Sequence, residues 1–218
     1  VQNDGTPVKF VAYYPYNADV RNFNYPVQLA AQERGSTACD LLYAATKEEY
    51  TYSPENEPHI SLNFTHRLAK VILKFVNMEK EPLEVSDVRI EGMQTAASFN
   101  IQTDVLTVDE SSVATINPYH NATTGFYEAI ILPSALTDSY KVSFVLDDRE
   151  KEWIFTNLDI ALPQFHKGYS YTFALYIDDS GFVEMGRLEN VEGGNSSAPW
   201  EDGSSEDGTA EGDKTPVS

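Results

Sequence analysis

The 218-residue sequence contains a single cysteine, Cys39, and has no long run of apolar residues. One cysteine excludes an internal disulfide and a cysteine-based metal cluster, and a membrane helix needs about 20 consecutive apolar residues. Basic residues are also scarce, because 15 Lys and Arg stand against 34 Asp and Glu, which gives a net charge of −19. A chain this acidic repels polyanions, so we expect no nucleic-acid partner and no binding to anionic membrane surfaces.

The sequence also lacks the common motifs of catalytic and metal sites. Its histidines are His59, His66, His120 and His166. They form no HExxH pair, and the chain contains neither a GxSxG turn nor an EF-hand loop. The acidic doublets Asp147-Asp148 and Asp178-Asp179 are typical of hairpin turns, because adjacent side chains on a strand point to opposite faces. We therefore predict a protein that is not an enzyme and has no cofactor or metal, in which Cys39 is a small half-buried residue and His66 a hydrogen-bonded structural one.

Alternation of apolar and polar residues is the dominant pattern that the sequence does contain. In 169–177, five apolar or aromatic side chains point to one face, and 140–146 repeats the pattern with Tyr140, Val142, Phe144 and Leu146. Further predicted strands are 8–14, 27–32, 40–45, 59–64, 70–77, 85–92, 97–102, 105–108, 113–116, 127–132, 151–155 and 181–185. The segment 64–76 is the best helix candidate, but its second half alternates, so we predict two strands with a bend near 67–69. This pattern predicts an all-β sandwich architecture.

Composition divides the chain into three segments. Prolines and acids interrupt the strand pattern near 51–58, and Gly, Ser and acidic residues dominate after Leu188. We predict one β-sandwich in 1–57, a second in 58–187, and a disordered acidic tail in 188–218. Because the chain starts at Val1 without an initiator Met and reaches strand pattern by Val8, we expect a fragment whose beginning is missing, the alternative being a processed form.

The aromatic segment 10–16, FVAYYPY, has two interpretations. Tyr13, Tyr14 and Tyr16 could form a stacking platform for a glycan at the end of a sheet. Alternatively, the segment is a core strand whose last residues wrap over the edge of the sandwich. Both interpretations remain open from the sequence.

Six segments in a fixed order resemble one protein family. They are VKFVAYYPY at 8–16, Gln32, DLLYA at 40–44, LNFTHRLAKVILKF at 62–75, FHKGYSYTFALYI at 165–177 and PWEDG at 199–203. This succession is similar to the fimbrillin-like proteins, which are related to the major subunits of type V pili of anaerobic Gram-negative bacteria. The resemblance covers most of residues 8–203.

The resemblance implies a fold, a location and a mode of assembly. It implies two transthyretin-like β-sandwich domains, of which the first is incomplete here at its N-terminus, in a lipoprotein exported to the cell surface or fimbrium. The lipid anchor would be the only link to the outer membrane, and its cysteine is absent from this chain. Partners would be other fimbrial subunits or ligands on host or bacterial surfaces, bound by β-strand addition. The alternative function is a glycan-binding surface lipoprotein.

The end of the second predicted sandwich is the candidate segment for strand exchange. In 182–200, Phe182, Val183 and Met185 belong to a short edge strand, and Trp200 could anchor the segment in a neighbouring subunit. The alternative is a terminal strand followed by a solubilising tail.

Overall fold

The structure, a computed structural model, describes residues 5–32, 38–51, 59–78, 84–137, 139–146, 149–154, 164–177, 183–186 and 200–202. These residues form β-strands and no α-helix, so the all-β prediction is confirmed. The strands are β1 (Val11–Tyr14), β2 (Asn24–Gln28), β3 (Leu42–Ala45), β4 (Thr65–His66), β5 (Ala69–Asn77), β6 (Val85–Glu91), β7 (Ala96–Asn100), β8 (Val105–Val108), β9 (Tyr119–Asn121), β10 (Phe126–Ile131), β11 (Ser134–Ala135), β12 (Lys141–Leu146), β13 (Arg149–Ile154), β14 (Gln164–Phe165), β15 (Tyr169–Ile177), β16 (Val183–Gly186) and β17 (Glu201–Asp202). Within the described ranges no helix is long and apolar enough to cross a membrane.

The strands assemble into four main sheets. Sheet I has the order β1-β3-β4, and sheet II has the order β2-β7-β8. Sheet III has the order β16-β15-β5-β10-β9, with β17 also paired to β15, and sheet IV has the order β13-β12-β6. The two-residue strands β11 and β14 form a separate pair.

The larger core lies between sheets III and IV. Its buried members are Ala69, Val71, Leu73, Val88, Ile90, Met93, Ile116, Ala129, Ile131, Tyr140, Val142, Phe144, Leu146, Phe165, Tyr171, Phe173 and Ile177. All four inward residues predicted for 140–146 are among them. Burying a side chain such as Phe144 or Phe173 completely is worth roughly 1.5–3 kcal/mol, so this core supplies much of the driving force for folding.

The smaller core lies between sheets I and II. Its buried members are Tyr25, Val27, Leu29, Leu41, Tyr43, Leu68, Ala97, Phe99, Ile101, Ile130 and Leu132. Edge-to-face ring contacts cross between the two sheets, with ring centroids 5.5 Å apart for Tyr13 and Tyr25 and 5.3 Å apart for Tyr43 and Phe99. Because alternate residues of a strand face opposite ways, β10 sends Ala129 into the larger core and Ile130 into the smaller one. Strand β10 therefore connects the two cores.

The centre of sheet III is a parallel pair that the sequence did not predict. Strands β5 and β15 run side by side in register from Ser170 opposite Lys70 to Ile177 opposite Asn77. Thr172 and Ala174, on the face of β15 away from the larger core, are buried as well. Burial on both faces is typical of parallel strands inside a sheet, and six of the nine residues of β15 are buried.

Most predicted strands lie where the sequence places them, and three do not. The strand predicted at 27–32 lies earlier, as β2 (Asn24–Gln28), and shares only residues 27 and 28 with the prediction. Strand β15 has the predicted bounds, and β4 and β5 flank the predicted bend within 64–76. Residues 59–64 form no strand among the described residues, and 113–116 contains only isolated bridges. The hairpin predicted near Asp147 is present as the β12–β13 pair, with Leu146 opposite Arg149. Alternation reports side-chain exposure, whereas a strand also requires a backbone partner.

Backbone pairing joins the two sides of the predicted boundary at residues 57 and 58. Strand β2 pairs with β7, and β3 pairs with β4, so each pair unites a strand before the boundary with one after it. The division into two transthyretin-like domains stays a prediction. Of the predicted tail, 188–218, the structure describes 200–202, where β17 lies beside the start of β15.

Candidate functional site

The outer face of sheet I carries Tyr14, from the predicted tyrosine platform, and His66, the predicted structural histidine. Trp200, the predicted anchor residue, stacks on His66. The register places Tyr14 opposite Leu42, and Leu42 opposite His66, so the three residues form one row across the sheet. Directly opposed residues on neighbouring strands have Cβ atoms about 5 Å apart. The row therefore runs from an exposed tyrosine at the edge strand to a buried histidine on β4. We call it the sheet I row.

The buried end of the sheet I row is a histidine held from two sides. His66 is only 2% exposed, and its Nδ1 donates to the Asp40 Oδ1 carboxylate oxygen at 2.8 Å. The ring of Trp200 stacks on the imidazole with centroids 3.6 Å apart and an angle of 18° between the planes. The prediction of a hydrogen-bonded structural histidine is confirmed. Trp200 is partly buried, and besides stacking on His66 it packs against the smaller core.

The C-terminal strands both lie on one edge of β15. Strand β16 pairs antiparallel with the end of β15, from Ile177 opposite Val183 to Ala174 opposite Gly186. Strand β17 pairs parallel with the start of β15, where Glu201 lies opposite Tyr169. The two strands thus occupy opposite ends of the same edge. Trp200, immediately before β17, is the side chain that fastens this end of the chain to sheet I.

The predicted strand-exchange residues are distributed over this region. Val183 and Met185 lie in β16, and Trp200 packs on His66 within its own chain. Phe182 lies outside the described residues. Exchange of this segment between subunits stays a prediction.

The three tyrosines of the predicted platform do not share one face. The Tyr13 ring packs on Tyr25 toward the smaller core, whereas Tyr14 is 55% exposed on the opposite face of β1. Tyr16, two residues beyond, is 81% exposed. Tyr14 and Tyr16 are therefore the members available to a ligand, and the glycan platform itself stays a prediction.

Strands β1 and β2 each have one edge without a neighbouring strand among the described residues, and these two edges differ in their backbone donors. Just before β1, the Phe10 carbonyl oxygen accepts from the Thr46 N–H at 2.9 Å, so alternation along the strand directs Ala12 and Tyr14 toward β3 and the N–H groups of Val11 and Tyr13 away from it. In β2, the outward-facing backbone position between Asn24 and Gln28 is Pro26, which has no N–H. Proline is a common means of blocking further pairing at a sheet edge. The edge of β2 is blocked in this way, and the edge of β1 is not.

The described residues contain little that would support catalysis. No group of three His, Cys, Asp or Glu side chains in them is arranged to hold a metal ion. Burial, together with the neighbouring Asp40 carboxylate, raises the pKa of the Cys39 thiol, which disfavours the nucleophilic thiolate. Cys39 is half-buried, as predicted. The doublets Asp147-Asp148 and Asp178-Asp179 lie outside the described residues.

The sequence did not reveal two features of this site. It did not identify Asp40 as the partner of His66, although Asp40 and Leu42 alternate at the start of a predicted strand. It also did not show that Pro26 faces an open edge, because that depends on which neighbour β2 pairs with. Pro26 itself was a readable signal, since proline within a strand pattern marks an edge strand.

We expect Trp200→Ala to lower the free energy of unfolding by about 2 kcal/mol. Truncating a fully buried tryptophan costs roughly 3–5 kcal/mol, and Trp200 is only half-buried over His66. Urea denaturation followed by circular dichroism measures the change. Trp200→Phe is the matched control, because it keeps a ring over the imidazole and should retain most of the stability. Equal stability of Trp200→Ala and the wild type would show that the contact contributes nothing.

Comparison with known proteins agrees with the resemblance. The model of the family described as fimbrillin-like matches residues 2–200. A curated relative from Bacteroides uniformis, "Putative fimbrium subunit Fim1C", is 26% identical over 200 residues, which are 88% of this chain. The matched chain spans 64% of that relative's length.

Solved structures show the same fold. The crystal structure of "a putative cell adhesion protein" from B. uniformis has a TM-score of 0.73 and 25% identity, covering 85% of this chain and 73% of its own. A second structure described in the same words, from Bacteroides ovatus, has a TM-score of 0.68 at 16% identity, covering 88% of this chain and 71% of its own. With the family model spanning residues 2–200, these findings establish that the chain belongs to the fimbrillin-like family.

Proposed function

We propose that this chain is a fimbrial subunit or a fimbria-associated adhesin that acts at the cell surface and joins its neighbours by β-strand addition. Membership of the fimbrillin-like family supports this, as do the relative named as a fimbrium subunit and the related structure described as a cell adhesion protein. Attachment to the outer membrane through a lipid, upstream of this chain, is part of the same proposal. Binding by strand addition requires no catalytic residue.

The observation that carries the mode of assembly is the open edge of β1. Its outward N–H groups at Val11 and Tyr13 are donors for an incoming strand, and main-chain hydrogen bonds supply affinity in strand addition. Val11 is 43% exposed and Tyr14 is 55% exposed on the other face, so an added strand would cover apolar surface on both faces. The neighbouring sheet II offers no equivalent at β2, because Pro26 removes the donor. The acceptor in this proposal is therefore the edge of β1.

The donor in this proposal is the segment 182–200. Its described end, Val183–Gly186, already pairs with one end of β15, and β17 pairs with the other end. The donor segment and β17, which follows it directly, form only these two short pairings within their own chain, so the segment loses little when it exchanges them for one continuous strand on a neighbour. In this proposal the Trp200 side chain leaves His66 of its own chain and packs against the neighbouring subunit.

Val11→Pro tests the acceptor edge. The substitution removes an outward N–H while leaving the hydrogen bonds to β3 in place, so we expect a folded chain that enters fimbriae at least tenfold less well. The measurement is the amount of this chain in fimbriae sheared from cells that express the variant in place of the wild type. Val11→Thr is the matched control, because it keeps the N–H and the β-branched shape. Wild-type incorporation of folded Val11→Pro would exclude β1 as the acceptor.

A second arm of the same assay tests the donor. Deletion of 188–218 removes the proposed exchange segment beyond β16, and we expect it to abolish incorporation of the chain into fimbriae. Trp200→Ala, which keeps the segment but loses the contact with His66, separates loss of the segment from loss of stability. Unchanged incorporation of the folded deletion variant would show that this end of the chain is only a solubilising tail.

Binding of a glycan by exposed tyrosines is the second candidate function. The specific observation in its favour is the exposure of Tyr14 and Tyr16 at the end of β1, where rings can stack on a sugar. Tyr13 faces the smaller core and would act only through its neighbours. If this second function is correct, alanine at Tyr14 or Tyr16 abolishes binding of the chain on a glycan array.

A further inference from the structure

Strand β8 is an edge of sheet II, and part of its backbone points away from the sheet. It pairs with β7 over its whole length, and no described residue pairs with its other side. Directly after β8, the Asp109 N–H donates to the Ala96 carbonyl oxygen at 3.0 Å. Because backbone groups alternate in direction along a strand, the N–H and C=O groups of Leu106 and Val108 point away from β7. These groups are donors and acceptors for an added strand.

Strand β8 lacks the residues that commonly protect a sheet edge. Its sequence, VLTV, contains no proline and no charged side chain, whereas Pro26 blocks the opposite edge of the sheet at β2. Val105 is 51% exposed, and within the strands whose burial is described, exposed large hydrophobic residues occur only on β1 and β8. Sheet II is therefore blocked at one edge and able to accept a strand at the other.

The inward side chains of β8 lie at the rim of the smaller core. Leu106 lies opposite the buried Phe99, and Val108 lies opposite the buried Ala97. Both β8 residues are only partly buried, although they pack against the core. An added strand with apolar residues at the matching positions would cover them, at roughly 25 cal/mol per Å² of apolar surface removed from water. The edge therefore suits a short strand in which apolar residues alternate.

A second copy of β8 has the pattern that this edge requires. In an antiparallel pair with a two-fold axis at Thr107, Leu106 of each copy lies opposite Val108 of the other. The outward N–H groups of both copies then meet outward carbonyl oxygens, and the opposed leucine and valine extend both smaller cores. Thr107 meets Thr107 of the other copy on the outer face, which is a favourable cross-strand pair. Asp109 lies opposite Val105 of the other copy, so the two Asp109 carboxylates do not oppose each other.

Repulsion between two acidic chains is weakened locally at this edge. Beyond the paired residues, Asp104 would approach Glu110 of the other copy, but Arg67 donates to both carboxylate oxygens of Asp104, with Nη2 3.0 Å from Oδ2. The Asp109 carboxylate already accepts hydrogen bonds from the N–H and hydroxyl of Ser111, at 3.0 and 2.6 Å. What remains is repulsion between net charges of −19, which salt screens over about 8–10 Å at physiological ionic strength. A dimer formed here should therefore strengthen as the salt concentration rises.

We propose that two copies of this chain associate through β8, in an antiparallel pair centred on Thr107. The two copies of sheet II join into one continuous sheet, whose outer edges are both β2. Because Pro26 removes the outward donor from each β2, this pairing stops at two copies. The interface is separate from the edge of β1 and from 182–200, so it does not rest on the proposed mode of assembly into fimbriae.

Sedimentation equilibrium of the full chain tests this dimer. The wild type is measured from about 1 to about 500 μM, because so short an interface gives weak affinity. We expect a monomer–dimer equilibrium in which association strengthens between about 0.05 and about 0.5 M NaCl. Val108→Pro, which removes an outward N–H and leaves the hydrogen bonds to β7 in place, should be folded and monomeric. Val108→Ile keeps the N–H and the β-branched shape, so it should dimerise, as should Val11→Pro.

A charge swap at the axis tests the register directly. Thr107 is exposed and meets itself in the dimer, so Thr107→Glu and Thr107→Lys each place like charges opposite one another. We expect each variant alone to weaken the dimer at least about tenfold, with a circular dichroism spectrum and melting temperature close to those of the wild type. An equimolar mixture of the two variants should recover dimers, because opposite charges then meet at the axis. A variant that merely disturbed the strand would not recover on mixing.

Three results would overturn the proposal. The first is a wild type that stays monomeric over the whole concentration range. The second is a dimer that both Thr107 variants retain, or that their mixture does not recover. The third is a dimer that Val11→Pro abolishes and Val108→Pro does not, which would place the contact at β1. Incorporation into fimbriae enters none of these measurements, so the two proposals fail independently.

Discussion

Gly92→Ala is expected to destabilise the protein by about 4 kcal/mol or more, a loss at the upper end of what single substitutions cause. Gly92 follows β6 with φ of 85°, and a Cβ at this position would lie 2.0 Å from the backbone oxygen of Ser139. The left-handed conformation alone costs a non-glycine residue roughly 1–2 kcal/mol. The remainder comes from displacing the chain that leads into β12, whose side chains fill the larger core. Urea denaturation followed by circular dichroism gives the difference in unfolding free energy.

Gly125→Ala is the matched control for this prediction. Gly125 has a similar φ of 74°, but no atom lies within 4 Å of the position that its Cβ would take. Its substitution should therefore cost only the conformational part, about 1–2 kcal/mol. If the two variants lose the same stability, the close approach between Gly92 and Ser139 does not constrain the fold.

Gln32→Leu is expected to lower the free energy of unfolding by about 3–5 kcal/mol. The reason is that the Gln32 side chain hydrogen-bonds to the backbone of β10 beyond the point where the neighbouring strand β9 ends. The amide Nε2 donates to the carbonyl oxygens of Leu29 at 2.8 Å and Ile130 at 2.6 Å, and Oε1 accepts from the Ile130 N–H at 2.7 Å. On this edge of β10 the pairing with β9 stops at Glu128. Each buried group left unsatisfied costs roughly 1–3 kcal/mol.

The same denaturation measurement tests Gln32→Leu. Gln102→Leu is the control, because Gln102 is exposed and the change should alter stability by less than about 0.5 kcal/mol. The resemblance to the fimbrillin-like proteins includes Gln32, and the structure gives it a physical role. A Gln32→Leu chain as stable as the wild type would mean that Ile130 finds other partners.

Alternation of apolar and polar residues predicted the strands well where the apolar side chains of one face enter a core. Tyr140, Val142, Phe144 and Leu146 alternate in sequence and all enter the larger core. The segment 59–64 alternates equally clearly but forms no strand among the described residues. The difference lies in the availability of a partner backbone, which no local pattern contains.

The candidate site was predictable in its residues but not in its arrangement. The sequence singled out Tyr13, Tyr14 and Trp200, yet it could not show that Tyr13 faces the smaller core while Tyr14 faces out. It also could not show that Trp200, which lies 134 positions after His66, stacks on the His66 ring. Pro26 marks an edge strand by its residue type, but only the pairing of β2 with β7 shows which edge it blocks.

The sequence by itself determined the all-β class, the positions of the main strands, their buried faces and the family resemblance, because alternation and turn residues act over a few neighbouring positions. Only the tertiary structure decided that β5 pairs parallel with β15 and that β2 and β7 share a sheet across the predicted boundary. It also decided which sheet edges have no neighbour among the described residues. The physical reason is that backbone N–H and C=O groups are the same in every residue except proline. Which strands they join is settled by the packing of the whole chain.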